Sequence, residues 1–403
     1  MGCVLLATSC LCGAQESGAQ FLPGQIWPDN HGVPINAHGG GVMFYDGTYY
    51  WFGEHKTAGT NGNLAQVGVH CYSSTNLYSW KDEGVALAVS DDSASDIAKG
   101  CILERPKVVH NAKTGKFVMW FHLELKGQEY KAARSGVAVA DKATGPYTFL
   151  RSFRPDAGCW PVGVTENQKN VADTNNFLAR DFAGGQIARD MTLFVDDDGN
   201  AYQIYASEEN ETLHISQLSD DYLSPAGIYS RAFEKCFNEA PAICKYQGHY
   251  WMLTSGCSGW APNTARASVA DSIWGPWKEL GNPCEGTNSQ NHLGSELTFG
   301  GQITCILPVA GKSGAFIAMF DIWQPDNAIA GGYVWLPMTF EKSNFSITWR
   351  DAWDLSVFDG NEPTVKQVSQ TAGSASLEHN NTSKPIAAQP EATLFPVKSA
   401  LTD

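Results

Sequence analysis

Five times along the chain, an apolar run meets a glycine-containing turn and restarts on an aromatic residue. The unit reads VMFYDGTYYWF around Gly47, KVVHNAKTGKFVMWF around Gly115 and MTLFVDDDGNAYQIY around Gly199. It returns as AICKYQGHYWML around Gly248 and ITCILPVAGKSGAFIAMF around Gly314. Tyr49, Phe117, Tyr202, Tyr250 and Phe316 follow the glycine by two or three residues. Glycine supplies the positive φ of a tight turn, and the aromatic gives the returning strand a large group to pack. Aromatic and β-branched runs punctuated this way predict hairpins rather than helices.

A weaker echo follows most units. HCYSSTNLYSW, SGVAVADKATGPY, LHISQLSDDYL and ASVADSIWGPW read as third strands, and KDEGVAL and TFLRSF as outer fourth strands. Four short antiparallel strands repeated radially make a propeller blade. The expected fold is therefore all-β: a five-bladed β-propeller over residues 21–357, a single domain with long loop insertions. A β-sandwich with similar hairpins is the competing architecture. The turn glycines are spaced by 68, 84, 49 and 66 residues, so the loops differ greatly in length. The longest insertion, residues 151–188, is polar and predicts a short helical piece. Residues 278–298 form a second long loop.

The net charge of −15 argues against nucleic acid or an anionic membrane surface as partner, and favours a neutral substrate. No apolar stretch reaches membrane-spanning length. Residues 1–20, MGCVLLATSCLCGAQESGAQ, read as a leader without a basic start, with Cys10 a candidate for lipidation. The protein is thus expected to be secreted, periplasmic or surface-anchored, and monomeric. Beyond the leader's Cys3, Cys10 and Cys12 stand eight cysteines, an even number that in an exported chain suggests some disulfides; several also read as strand core. None has zinc-ligand spacing. No cofactor is expected, although a structural calcium or other cation in a central channel is compatible with the fold. Residues 358–403 turn to Ser, Thr, Ala and Pro without periodicity and read as a tail. Asn210, Asn344, Asn380 and Asn381 match the glycosylation pattern.

In a propeller the first strand of each unit lines the axis, so residues at the same end of those strands converge. Counting back from the turn glycine, His38, Asp190 and Glu239 lie nine residues before it, Glu104 eleven and Gln302 twelve. Three of these five polar groups are carboxylates. Converging carboxylates raise one another's pKa, which lets an acid and a base coexist, as glycoside hydrolysis requires. The alternative for any one of them is a strand-end hydrogen bond.

The stretches NAHGGGVMFYDGTYYWFGEHK, ERPKV, ARDMTLFVDDDGNAYQIYASEEN, NEAPAI, TSGCSGWAPN and TFGGQITCILPV, in this order, resemble glycoside hydrolase family 43. More narrowly they resemble its exo-β-1,3-galactanase subfamily, over about residues 25–355. The resemblance implies a five-bladed propeller and inversion at the anomeric carbon. It implies Glu239 as general acid, Glu104 as the group that tunes its pKa and orients the substrate, and Gln302 as the holder of the nucleophilic water, acting there in an imidic form. Asp190 would bind the terminal sugar, with Glu54, Asn210 and His38 as further contacts; Trp260 is either a stacking platform or core. Most of the family carries an Asp base where this chain has Asn36-Ala37-His38, a departure the subfamily shares. The implied partner is an oligo- or polysaccharide with β-1,3-linked galactose. A related exo-glycosidase on other glycans and a non-catalytic glycan-binding propeller remain open alternatives.

Overall fold

A computed structural model describes residues 19–360. The leader, except for its last two residues, lies outside them, as do Cys3, Cys10, Cys12, the tail beyond Gly360, Asn380 and Asn381. The first sheet contains β1 (His38–Tyr45), β2 (Thr48–Glu54), β3 (Gly68–Ser74) and β4 (Lys81–Ala88). The second contains β5 (Ile102–Asn111), β6 (Lys116–Glu124), β7 (Arg134–Ala140) and β8 (Thr148–Phe153). The third contains β9 (Met191–Val195), β10 (Ala201–Ser207), β11 (Thr212–Leu218) and β12 (Pro225–Ala232). The fourth contains β13 (Asn238–Tyr246), β14 (His249–Gly256), β15 (Arg266–Ala270) and β16 (Lys278–Gly281). Then follow β17 (Cys284–Glu285), β18 (Gln302–Pro308), β19 (Phe316–Ile322), β20 (Gly332–Pro337), β21 (Thr339–Phe340) and β22 (Phe345–Thr348).

The architecture is an all-β propeller, but with six sheets where the hairpin repeat predicts five blades. β18, β19 and β20 form a three-stranded sheet, and β17, β22 and β21 form a second one. The sixth sheet escapes a repeat count for a physical reason. Its strands are two to four residues long, carry no glycine-aromatic hairpin, and include a parallel pair joining Cys284 to Ile347.

Each expected turn glycine joins an antiparallel pair. Gly47, Gly115, Gly199, Gly248 and Gly314 all have φ between 70° and 81°. The first strands pack around the axis in chain order, β1 on β5, β5 on β9, β9 on β13, β13 on β18, and β18 back on β1. Apolar faces of neighbouring sheets fill the wedges between them: Phe52 and Val69 meet Met119 and Phe121, and Trp251 and Leu253 meet Phe320 and Leu336. Ring closure is marked by Phe21, which pairs with Trp353 through two backbone hydrogen bonds and stacks on its ring at 4.3 Å.

The long insertion carries the expected helical piece, α1 (Phe177–Arg180). The eight cysteines among the described residues are free, contrary to the disulfide expectation. Cys71, Cys101, Cys244 and Cys284 are buried core residues instead. Among the described residues no helix is long and apolar enough to cross a membrane.

Candidate active site

An antiparallel hairpin sets the start of its first strand opposite the end of its second. His38 accordingly faces Glu54, Glu104 faces His122, Glu239 faces Ser255 and Gln302 faces Asp321. In three hairpins the ladder shifts immediately afterwards, between His38 and Gly41, Glu104 and Lys107, and Glu239 and Ala242. The residue following the site residue is left-handed each time: Gly39 at φ 62°, Arg105 at 56° and Ala240 at 51°. Such bulges bend a strand and re-aim its side chains. Pro106 and Pro241 follow in two of them, where a ladder donor would be lost anyway. The repeated Glu-X-Pro is thus one device used twice. Holding Arg105 and Ala240 left-handed costs about 1–2 kcal/mol each. At Gly39 a Cβ would lie 2.1 Å from Glu54 Oε1, so any other residue would push the Glu54 carboxylate from its place as well as strain the left-handed backbone.

These strand ends surround a cleft of about 300 Å³ lined by Glu54, Glu104, Asp190, Glu239 and Gln302, together with Arg105, His122, Tyr130, Arg189, Asn210, Cys257, Trp260 and Trp323. That is the lower end of the range for small-ligand pockets. Its two central glutamates are driven apart. Burial, then the charge of Asp190, pushes the Glu239 carboxyl up to about 7; Arg105 and hydrogen bonds from Cys257 and Gln302 only partly offset this. Burial also opposes ionisation of Glu104, but the hydrogen bond and charge of His122, with help from Lys56 and the Tyr130 hydroxyl, hold it at about 2. One carboxyl can therefore carry a proton near neutrality while the other stays charged.

Arg105 ties the floor together. Its Nε and Nη2 donate to the two oxygens of Asp190 at 3.1 and 2.8 Å, and Nη2 also donates to Gln302 Oε1 at 2.6 Å. Trp323 Nε1 donates to the same oxygen at 2.8 Å. Guanidinium and indole can only donate, so the amide orientation of Gln302 is fixed. Its Nε2 then donates to Glu239 Oε1 at 3.0 Å and to Ser255 Oγ at 2.9 Å. All four hydrogen-bonding positions of the amide are taken. An imidic O–H on this oxygen would face two donors, Arg105 Nη2 and Trp323 Nε1. With Glu239 Oε1 accepting from Gln302, the acid proton belongs on Oε2.

The other expected contacts separate. Asp190 lies in the cleft but is paired with Arg105. Glu54 lines the wall, neutralised by Lys56 at 2.5 Å, and accepts the Arg105 backbone N–H at 3.0 Å. Asn210 accepts from Arg189 at 3.4 Å. Trp260 stands at the rim, 37% exposed and edge-on to Trp323 at 5.6 Å, not in the core. His38 does not line the cleft: it is 1% exposed, stacked on Tyr333 at 5.2 Å, with Nδ1 3.5 Å from Asp321 Oδ2. Asn36, at the place of the family's usual base, is spent on structure. It donates to Lys56 O at 2.8 Å and accepts from Lys56 N at 2.9 Å.

Counting from first strands missed Arg105, His122, Tyr130, Arg189 and Trp323. A signal existed for His122 and Trp323: both stand where apolar second strands, KFVMWFHLE and FIAMFDIWQ, turn polar at their ends. Atoms of Glu104, His122 and Asp190 approach one another within 4.8 Å. Both ring nitrogens of His122 already face carboxylates and Asp190 already holds Arg105, so the trio is engaged without an ion. Lys107 Nζ donates to Gly39 O at 2.9 Å, and burial pulls its pKa down to about 8.

Residues 173–296 match the model for glycosyl hydrolases family 43. A family 43 β-1,3-galactosidase solved with galactodeoxynojirimycin is 50% identical over 83% of this chain and 100% of its own, at a TM-score of 0.78. The chain belongs to glycosyl hydrolases family 43. Within the family, it is 31% identical to an exo-β-1,3-galactanase from Phanerochaete chrysosporium solved with β-1,3-galactotriose. That match covers 84% of this chain and 68% of the other, at a TM-score of 0.70. An exo-β-1,3-galactanase from Clostridium thermocellum is 33% identical over 83% and 66% of the two chains, at a TM-score of 0.69. No curated protein matches the chain.

Proposed function

We propose that this family 43 enzyme is an inverting exo-acting glycoside hydrolase that releases galactose from the non-reducing end of β-1,3-galactan. The observation that carries the reading is the divergence of Glu239 and Glu104 inside one small cleft, in a chain whose relatives act on β-1,3-galactosides. Glu239 protonates the departing oxygen from Oε2. Glu104, held charged at and well below neutral pH, accepts from a sugar hydroxyl. Asp190 and Arg105 hold the terminal sugar's side of the floor, with Trp260 at the rim for the next residue. Gln302 places the attacking water through Arg105, which it fixes by accepting from Nη2, and holds Glu239 in position on the leaving-group side. Water attacks the face opposite the leaving group as the glycosidic C–O bond breaks, its surplus proton passes to solvent, from which Glu239 is reprotonated, and galactose first appears as the α-anomer.

The same reading includes export and a monomeric state, and chemistry that runs on side chains without a cofactor. We also infer that the sixth sheet is the outer edge of the fifth repeat. The contact of β22 with β20, and the burial of Phe345 and Ile347 beside Phe316 and Phe320, support this. The test of function is product release from β-1,3-galactobiose and β-1,3-galactotriose, with the anomer followed by NMR. Monosaccharide appearing first as α-galactose is the expected result. No release, with turnover of another glycoside, would change the substrate; binding without turnover on any glycoside would sink the enzyme reading.

A further inference from the structure

One carboxylate outside the cleft lining controls both groups that grip Glu104. Glu124 ends β6 and is fully buried. Its Oε1 accepts from His122 Nε2 at 2.9 Å, and its Oε2 accepts from the Ala133 N–H at 2.8 Å. Each bond serves a different arm. The His122 ring donates from Nδ1 to Glu104 Oε2 at 3.1 Å. Ala133 closes the loop that carries Tyr130, whose hydroxyl donates to Glu104 Oε1 at 2.8 Å. Arg189 fastens that loop again by donating to Tyr130 O at 3.0 Å. Every oxygen of Glu104 thus meets a donor that traces back to Glu124.

Hydrogen-bond counting fixes the charge of the ring. A neutral imidazole has one N–H, yet both nitrogens of His122 face carboxylate oxygens, so only the imidazolium satisfies both. The remaining charges facing Glu104 are Lys56 and Glu54 from the first sheet, Arg105 on its own strand and Asp190 ahead of β9. Tyr130 is the titratable neutral neighbour. Lys56 pairs with Glu54 and Arg105 with Asp190, so each cation is matched by an anion. His122 is the cation that hydrogen-bonds Glu104 directly, and the charge of Lys56 adds a smaller effect. The direction agrees: burial opposes protonation of the ring, but Glu104 and Glu124 raise it to about 9.

We propose that His122 and Glu124 are positioning residues for the reaction, keeping Glu104 ionised and both its oxygens fixed, so that it accepts from a sugar hydroxyl and never competes with Glu239 as proton donor. The proposal rests on the galactosidase reading only for its kinetic arm. Two measurements test it.

The first is the ¹⁵N spectrum of the histidine side chains in the unaltered protein at pH 7.5, with His122 assigned by its loss in His122→Gln. Two protonated ring nitrogens are expected; a single neutral tautomer overturns the proposal, whatever the substrate proves to be. The second is the pH profile of kcat/KM on β-1,3-galactobiose. In His122→Gln, confirmed folded by its melting curve, an acid limb absent from the parent should enter between pH 4 and 6, falling about tenfold per pH unit below it. A folded variant with the parent's acid limb refutes the clamp. If His122→Gln does not fold, Tyr130→Phe at the cleft rim should show a smaller shift in the same direction, and an unmoved profile there counts against the proposal. Failure of the parent to release galactose sinks the function reading alone, because the ring spectrum still reports on the clamp.

Discussion

Glu239 carries opposite signs for activity and stability, and one substitution separates them. Burial and the Asp190 charge raise its carboxyl from 4.5 to about 7. At 1.36 kcal/mol per pK unit, ionising this group in the folded protein costs about 3 kcal/mol more than in the unfolded chain. The folded state therefore binds more protons between pH 4.5 and 7, and this contribution to stability, complete below 4.5, is lost as pH rises through 7. Glu239→Gln is uncharged at every pH, and its amide oxygen can still accept from Gln302. Relative to the parent, the variant should gain nearly nothing at pH 4.5 and about 3 kcal/mol above pH 8. For a folded body of this size that corresponds to about 4 °C in Tm. The same variant should lose about 10²–10⁴-fold in kcat, the usual worth of a general acid. The parent's kcat/KM should fall as pH rises past 7, because the acid must be protonated to act. The assay is thermal melting of both proteins across pH 4.5–8.5, beside turnover of β-1,3-galactobiose. A Tm difference that does not change with pH would refute the argument that Glu239 is held protonated by its surroundings.

Further outcomes follow from the same geometry. Asn36→Asp restores the family's usual carboxylate but removes the donor to Lys56 O; it should lose about 1–3 kcal/mol in urea unfolding and gain no rate. Arg105→Lys cannot reproduce the fork on Asp190 and Gln302, and kcat/KM should drop about 100-fold with the fold intact by circular dichroism. Trp260→Ala should raise KM about five- to tenfold while kcat stays within about twofold in steady-state kinetics, the size of one lost stacking contact.

Glu104, Asp190, Glu239 and Gln302 were legible because a hairpin repeated around an axis puts equivalent residues at one end. That argument needs only the period of a strand and the position of a turn. It failed at His38, which sits at the same offset but turns inward against Tyr333, since Gly39 and Gly40 let β1 approach β2 too closely for a side chain between them. It also missed the partners at the ends of second strands, His122 and Glu124, whose roles depend on cross-strand register rather than distance from a glycine. Arg105 lay inside a motif already singled out; only its left-handed backbone shows that it reaches Asp190 and Gln302. The sixth sheet was hidden because Cys284 and Ile347 pair in parallel across a long stretch of chain, which no local pattern announces.

The pairing of Phe21 with Trp353 gives the order of the repeats a peculiar freedom. To the closed ring, no hairpin comes first; the sequence has a beginning only because the chain does. A circular permutant that keeps Leu355–Phe358, whose buried Phe358 packs on Trp353, links the chain beyond it back to Phe21 by a peptide and opens it at the exposed Asp46–Gly47 turn should rebuild the same pocket. Its new ends would emerge at the far end of β1 from His38, opposite the mouth where substrate enters, leaving both free for fusion.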